Sequence, residues 1–159
     1  MHIEYMKMVG DMYAQLGYPP YRWVMNEDTP PWTPLKKPLS ECRLALIASG
    51  GIYVTGQVAF HFKDDVSHRV IPTGIRTEDL RITHFAYDVS VARRDPNSVF
   101  PLDTLRRLVD EDVVGALTDN AYSFMGGIYS SRKVREQLAP NLTEALLAEK
   151  ADAVLLVPC

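Results

Sequence analysis

The sequence predicts an open three-layer α/β fold with a largely parallel sheet, Rossmann-like or flavodoxin-like in arrangement, behind a proline-rich N-terminal arm. Short apolar runs such as Leu44-Ala45-Leu46-Ile47-Ala48 and Ala153-Val154-Leu155-Leu156-Val157 alternate with stretches of helical periodicity. That alternation is what a parallel sheet with crossover helices requires. Glycine turns follow, as in Ser49-Gly50-Gly51 and Met125-Gly126-Gly127, where backbone can approach a neighbour or a ligand closely. With 159 residues, 47% of them apolar and 23% charged, the chain has room for one core and reads as globular rather than disordered.

Residues 3–16 place Ile3, Met6, Val9, Tyr13 and Leu16 at helical intervals, and Gly17 with Pro19-Pro20 ends that helix. Pro30, Pro31, Pro34 and Pro38 around Trp32 predict an extended arm, with Trp23 and Trp32 anchoring it by burial. Residues 1–40 are thus helix and arm, and residues 41–159 form the N-terminal portion of one α/β domain. That domain opens on a buried strand over 42–48. Residues 53–79 show no helix, but a strand fits 68–71. A second strand over 80–85 leads to Ala86-Tyr87-Asp88.

Asp95-Pro96-Asn97 is a turn, and a helix runs from about Asp103 to Asp110 with Leu102, Leu105 and Leu108 or Val109 on one face. A third strand is expected over 113–117. The helical stretch over 131–150 carries the stripe Val134, Leu138, Leu142, Ala145 and Leu146, with Pro140 kinking or dividing it. The fourth strand spans 152–157. There are no internal repeats and no low-complexity tract.

In open parallel sheets, ligands bind outside the carboxyl ends of the strands. Four such ends are Ser49-Gly50-Gly51, His84 to Asp88, Ser123 to Gly127, and Pro158-Cys159, and parallel strands would bring them to one face. His84, Tyr87 and Asp88 are candidates to position substrate or shuttle a proton. Against that stands a half-buried, satisfied histidine and an aspartate capping a turn. Gly50 and Gly51 allow close approach, and Gly126 with Gly127 either cradles an anionic group near a helix start or only turns the chain. Both readings stand at this level.

A net charge of −3 with scattered basic residues argues against nucleic acid as a partner. No apolar run approaches the roughly 20 residues that span a bilayer. The N-terminus lacks the basic start and apolar stretch of a signal peptide, so a cytoplasmic protein is expected. Cys42 and Cys159 make no disulfide framework, and Cys42 reads as a small buried hydrophobe. His61, Asp64, Asp65 and His68 fit no zinc spacing and read as a solvated loop, so no metal is expected. The run from Gly50 to Gly56 is not a dinucleotide fingerprint. There is no nucleophile elbow, and Ser49 has no base partner evident in sequence.

Several segments recur in a family's order. They are Pro31-Trp32-Thr33-Pro34-Leu35, Arg69-Val70-Ile71-Pro72 with Glu78-Asp79-Leu80, and Tyr87-Asp88. Phe100-Pro101-Leu102-Asp103 with Arg106 and Leu108 follows, then Phe124-Met125-Gly126-Gly127 and Ala151-Asp152-Ala153-Val154-Leu155-Leu156. Together they resemble the glycine/sarcosine/betaine/D-proline reductase selenoprotein B family, in the pattern of its D-proline reductase selenoprotein, over about residues 30–159. The chain departs from that pattern at His84-Phe85-Ala86, where the family is glycine-rich before its Tyr-Asp pair.

The resemblance implies reductive cleavage of a carbon–nitrogen bond in an amino acid or related amine; for D-proline, the ring opens to 5-aminovalerate. Electrons come from a dithiol donor protein. In the family the last strand leads into U-x-x-C, where U is selenocysteine, or cysteine in some members, so selenocysteine is expected immediately after Cys159. Cys159 itself departs from the family's small residue there and is either an extra resolving thiol or without a role. A selenolate is ionised at neutral pH and strongly nucleophilic, and the cysteine of the motif closes a selenenylsulfide that the donor reduces. The resemblance further implies a partner subunit bearing a pyruvoyl group, with no cofactor in this chain, and a homo- or hetero-oligomer. The expectation is of a chain truncated before the selenium by a UGA codon read as stop, its C-terminal part missing. It would be inactive alone and self-associating through an uncovered sheet edge. The rival reading is a non-catalytic α/β module that binds a small ligand or a partner.

Overall fold

The computed structural model describes residues 4–20 and 24–159, and divides into two compact units, Met1–Trp32 and Thr33–Cys159. The first holds helix α1 (Tyr5–Gln15). Gly17, at φ +80, ends it: its N–H donates to Ala14 O and that of Tyr18 to Tyr13 O, so two terminal carbonyls find donors. No described residue of this unit is buried, because a single short helix has no second apolar surface of its own. Trp32, expected to anchor the arm, is 86% exposed. Ile3 and Trp23 lie outside the described residues.

The second unit is built on strand β1 (Arg43–Ala48), whose Leu44, Ala45, Leu46, Ile47 and Ala48 are all buried. Burial on both faces explains why this segment is apolar without alternation. On one side β1 pairs in parallel along its length with β7 (Ala153–Val157), Leu44 opposite Ala153 and Ala48 opposite Val157. Its other side pairs in parallel with β5 (Ala116–Leu117) at the start and with β6 (Asn120–Phe124) at the end. Strand β3 (His68–Pro72) adds antiparallel to β6. The sheet is therefore mixed but mostly parallel.

Two apolar layers enclose it. On one face Leu46, Ile71, Phe100, Leu102, Leu105 and Val114 pack beneath α2 (Ser90–Arg94) and α3 (Leu102–Asp110). On the other, Ile47 and Tyr122 meet Leu138 and Leu142 of a helical stretch. That stretch is α4 (Ser131–Lys133), a π-helical turn over Val134–Leu138 and α5 (Ala139–Ala148). Pro140 lies in the first turn of α5, and the stretch is divided just before it by the π-helical turn. The wider turn just before Pro140 accommodates a residue that has no N–H and crowds the carbonyl four residues back. Helix α5 is tied to the sheet by the Glu149 carboxylate, which accepts from Asp119 N–H at 2.9 Å and Asn120 Nδ2 at 2.6 Å.

Three expectations are corrected. The second predicted strand is only β4 (Leu80–Ile82), and it pairs antiparallel with β2 (Ile52–Val54) off the main sheet. Of the strand expected over 113–117, only β5 forms, because Asp112 takes φ 58 and Gly115 packs against the backbone of residues 40–42. Strand β6 was not expected: its polar residues hide it, yet Ser123 is fully buried and its Oγ accepts the Ile52 N–H at 2.9 Å.

Candidate functional site

The carboxyl ends of β1, β6 and β7 meet at Ser49. Its N–H donates to Val157 O at 3.0 Å, continuing the β1–β7 ladder, while its Oγ accepts the N–H of Cys159 at 2.9 Å. Both ends of the link are therefore fixed by backbone. Next in the chain, Gly51 N–H donates to Phe124 O and Gly51 O accepts from Thr83 N–H, each at 3.0 Å. The glycine turn thus bridges the end of β6 to the loop after β4. The four predicted patches do converge, although the 83–87 loop arrives from a separate two-stranded ladder rather than from a parallel strand.

The two glycine pairs differ in use. A Cβ on Gly50 would lie 2.7 Å from Ile52 Cδ1, 3.2 Å from Cys159 Sγ and 3.3 Å from Val99 Cβ, so the thiol of Cys159 rests on Gly50. Gly51, at φ +70, would place a Cβ 2.0 Å from Thr83 O. Gly126 (φ +70) faces Ser49 O and the His84 ring, and Gly127 has only Met125 Sδ near, at 3.9 Å. Gly50, Gly51 and Gly126 thus have protein, not open space, against them.

Tyr87 donates its hydroxyl to Gly50 O at 3.0 Å, and its ring lies 4.4 Å from that of His84, tilted by 45°. Burial, seconded by the neighbouring Cys159 thiol, pushes the Tyr87 phenol up to about 12. Burial also raises the Cys159 thiol above its ordinary value. His84 is 8% exposed, and its Nδ1 accepts the Ala86 N–H at 3.1 Å. The neutral ring therefore carries its proton on Nε2. That nitrogen is buried and has no partner in good hydrogen-bonding geometry among the described residues, although the carbonyls of Met125 and Ser49 lie close enough to favour a proton there. Asp88 stands apart: it is exposed, and its carboxylate accepts from Ser90 N–H and Oγ at the start of α2, as a turn cap would.

Burial lowers the His84 pKa, against a smaller opposite pull from the two carbonyls, so the ring is neutral near pH 7. The sign follows from linkage: the unfolded chain takes up the proton first, so the stability His84 contributes is full above about pH 6.5 and is lost as pH falls through its lower folded value. His68 is lowered in the same direction by burial and Arg69. The lowered carboxyls of Asp65, Asp103 and Asp152 act in a more acidic window. His84→Asn, which keeps an acceptor for Ala86 N–H, should lose less of its urea midpoint than wild type between pH 7.5 and pH 5.5. Equal losses would remove His84 as a source of the acid sensitivity.

Other candidates lie elsewhere. Asp64 Oδ1 accepts from Tyr129 N–H and Ser130 N–H, and Asp65 accepts from His61 N–H and Ser67 N–H, so these carboxylates hold turns. Among the described residues no group of three or more His, Cys, Asp or Glu side chains is placed to hold a metal ion. Cys42 is buried at the start of β1, its thiol donating to Pro38 O at 3.3 Å, at the opposite end of that strand from Cys159. A groove of about 480 Å³ lies at that same far end, beside the Lys37–Asp152 ion pair of 2.7 Å. It shares no residue with the strand-end site. No helix among the described residues is long and apolar enough to cross a membrane. Sequence reading missed the part played by Ser49; the only signal was its place between a buried strand and a glycine pair.

The profile of the family glycine/sarcosine/betaine reductase selenoprotein B matches residues 20–159. The D-proline reductase subunit gamma of Acetoanaerobium sticklandii is 35% identical over 130 residues, covering 80% of this chain and 54% of that protein. The glycine reductase complex component B subunit gamma of Symbiobacterium thermophilum is 30% identical over 156 residues, 94% of this chain and 35% of that protein. That of Peptoclostridium acidaminophilum is 29% identical over 131 residues, 76% of this chain and 28% of that protein. The chain thus spans about half the length of the first relative and about a third of the others. No solved structure matches it.

Proposed function

Because the chain belongs to the glycine/sarcosine/betaine reductase selenoprotein B family, a family of reductase subunits, we propose that it forms the N-terminal part of a subunit that reductively cleaves a carbon–nitrogen bond in an amino acid or related amine. The observation that carries this reading is the seating of Cys159: its N–H is pinned by Ser49, and its thiol rests on Gly50 where three loops meet. A side chain following Cys159 starts from that pinned peptide, close to His84 and Tyr87. We place selenocysteine, or cysteine in its stead, at that following position. It would supply a nucleophile ionised at neutral pH.

In this class of reaction a dithiol gives two electrons and becomes a disulfide, while its two protons end on the separated carbon and nitrogen. The dithiol donor protein and a pyruvoyl-bearing partner subunit belong to the same proposal. The relatives' names, which denote subunits and complex components, support a hetero-oligomer. Within the chain, Tyr87 holds the Gly50 carbonyl and His84 supplies a buried Nε2 proton beside Ser49 and Met125.

The test is the nucleotide sequence past the codon for Cys159, read with the mass of the native protein. An in-frame UGA, or a cysteine codon, followed by an open frame beginning x-x-Cys and matched by the longer mass supports the reductase. A native mass ending at Cys159 with no coding frame beyond it removes the central residue, and a non-catalytic binding module becomes the better reading.

A further inference from the structure

Three ring-bearing residues of the 83–87 loop are placed differently. His84 and Tyr87 turn into the strand-end site, but Phe85 between them is 56% exposed. A second phenyl ring, Phe62, is 63% exposed and lies beside it, with ring centroids 6.1 Å apart and planes at 71°. His61 extends the group, its ring 4.6 Å from that of Phe62 and tilted by 36°. The loops that carry these rings are fixed on both sides. Before Phe62, Phe60 is buried under the Arg69 guanidinium, which lies 4.2 Å from its ring centroid. Around and after it, the Asp65 carboxylate accepts from His61 N–H at 2.8 Å and Ser67 N–H at 2.9 Å, and Asp64 accepts from Tyr129 N–H at 2.8 Å. Behind Phe85, the His84 ring holds Ala86 N–H. Two adjoining phenyl rings fixed in the open forgo the burial that apolar surface ordinarily gains, which marks a binding surface.

We propose that Phe62 and Phe85 form an aromatic corner that receives the ammonium or alkylammonium group of a small ligand beside the strand-end site. A ring face is electron-rich, so two rings meeting at a steep angle favour a positive charge over an uncharged apolar group of the same size. Arg69 is committed to Phe60 and does not compete for the pair. In the 61–65 turn two carboxylates stand against one lysine, which adds negative potential. Taking the ligand as the substrate rests on the reductase reading above, and the corner deepens that reading by naming the residues that select its amine. Phe85 is one residue from His84 and two from Tyr87, so a ligand held there is brought next to both.

The experiment titrates the full-length protein in its native complex with choline and, separately, with 3,3-dimethylbutanol, its uncharged isostere. Binding is read by saturation transfer to the methyl protons of each probe. Wild type should bind choline more tightly than the isostere. Phe85→Leu and Phe62→Leu keep apolar bulk but lose the π face, so each should weaken choline about two- to fivefold and leave the isostere unchanged. Phe85→Tyr should retain the preference. Both rings are exposed, so unfolding midpoints should stay at the wild-type value and lost binding is not lost folding. Equal affinity for the two probes in wild type would overturn the proposal, as would choline binding that both leucine variants leave unchanged. So would binding of neither probe, the result expected if a partner subunit covers the rings. A choline preference in a protein whose native mass ends at Cys159 would uphold the corner and sink the reductase reading alone.

Discussion

Gly51→Ala is expected to abolish folding of the α/β unit, with little soluble product and no cooperative unfolding transition. A methyl group there would sit 2.0 Å from the Thr83 carbonyl oxygen, inside any allowed contact, and the obstacle is backbone rather than a movable side-chain tip. The φ of +70 adds roughly 1–2 kcal/mol for any L side chain. Relief would mean separating Gly51 from the 83–87 loop, breaking the Thr83–Gly51 and Gly51–Phe124 bonds together. Losses of this kind exceed about 4 kcal/mol and stand out from ordinary substitutions. Gly127→Ala is the control: it also has positive φ, but its nearest neighbour is 3.9 Å away, so only the backbone penalty of about 1–2 kcal/mol applies. Similar unfolding midpoints for the two variants would show that the loop gives way more readily than the geometry implies.

That contrast explains how much of the molecule its sequence disclosed. Strand β1 is apolar and buried from Leu44 on, β7 is an unbroken apolar run although Val154 and Leu156 stay exposed, and helix α3 repeats leucines at helical spacing, so residue type alone marks all three. Strand β6 was hidden because its polar groups are satisfied by tertiary partners: Asn120 by Glu149, and Ser123 by the Ile52 N–H. No local pattern announces such pairing. Strand β2 was too short, at three residues, to show a period. The site was half legible. Gly50, Gly51, Gly126 and Cys159 meet because they follow strands of one sheet, while His84 and Tyr87 reach them from the separate β2–β4 ladder through the Thr83–Gly51 bond. Asp88 does not join them, since its carboxylate is used by Ser90, and the hydrogen bonds of Ser49 exist only after β1 and β7 pair.

Phe100→Ala should be nearly as damaging as the glycine variant, for the opposite reason. Phe100 is fully buried among residues from the sheet, α3 and the β2–β4 ladder, and it is the largest side chain so enclosed among the described residues. Truncation leaves a cavity and should cost about 3–5 kcal/mol, against a total stability of about 5–15 kcal/mol for a domain of this kind. A guanidinium titration should show the midpoint falling with an unchanged slope. Phe100→Leu keeps most of the volume and should cost less than about 2 kcal/mol, so it stays folded. The consequence then reaches the site through one step of chain. Val99, the preceding residue, touches Gly50 from one side while the Cys159 thiol touches it from another, so the seat of the thiol is braced by the core. Burial is what raises the Cys159 pKa. Cys159 is exposed as a residue, so its thiol is shielded only in part by its seat over Gly50. If Phe100→Leu lets Val99 settle inward, that shielding falls and the thiol's pKa should drop back toward the ordinary cysteine value. Alkylation of Cys159 near pH 8 would then be faster than in wild type. An unchanged rate in a folded but destabilised variant would mean that the strand-end loops hold their shape without the core beneath them.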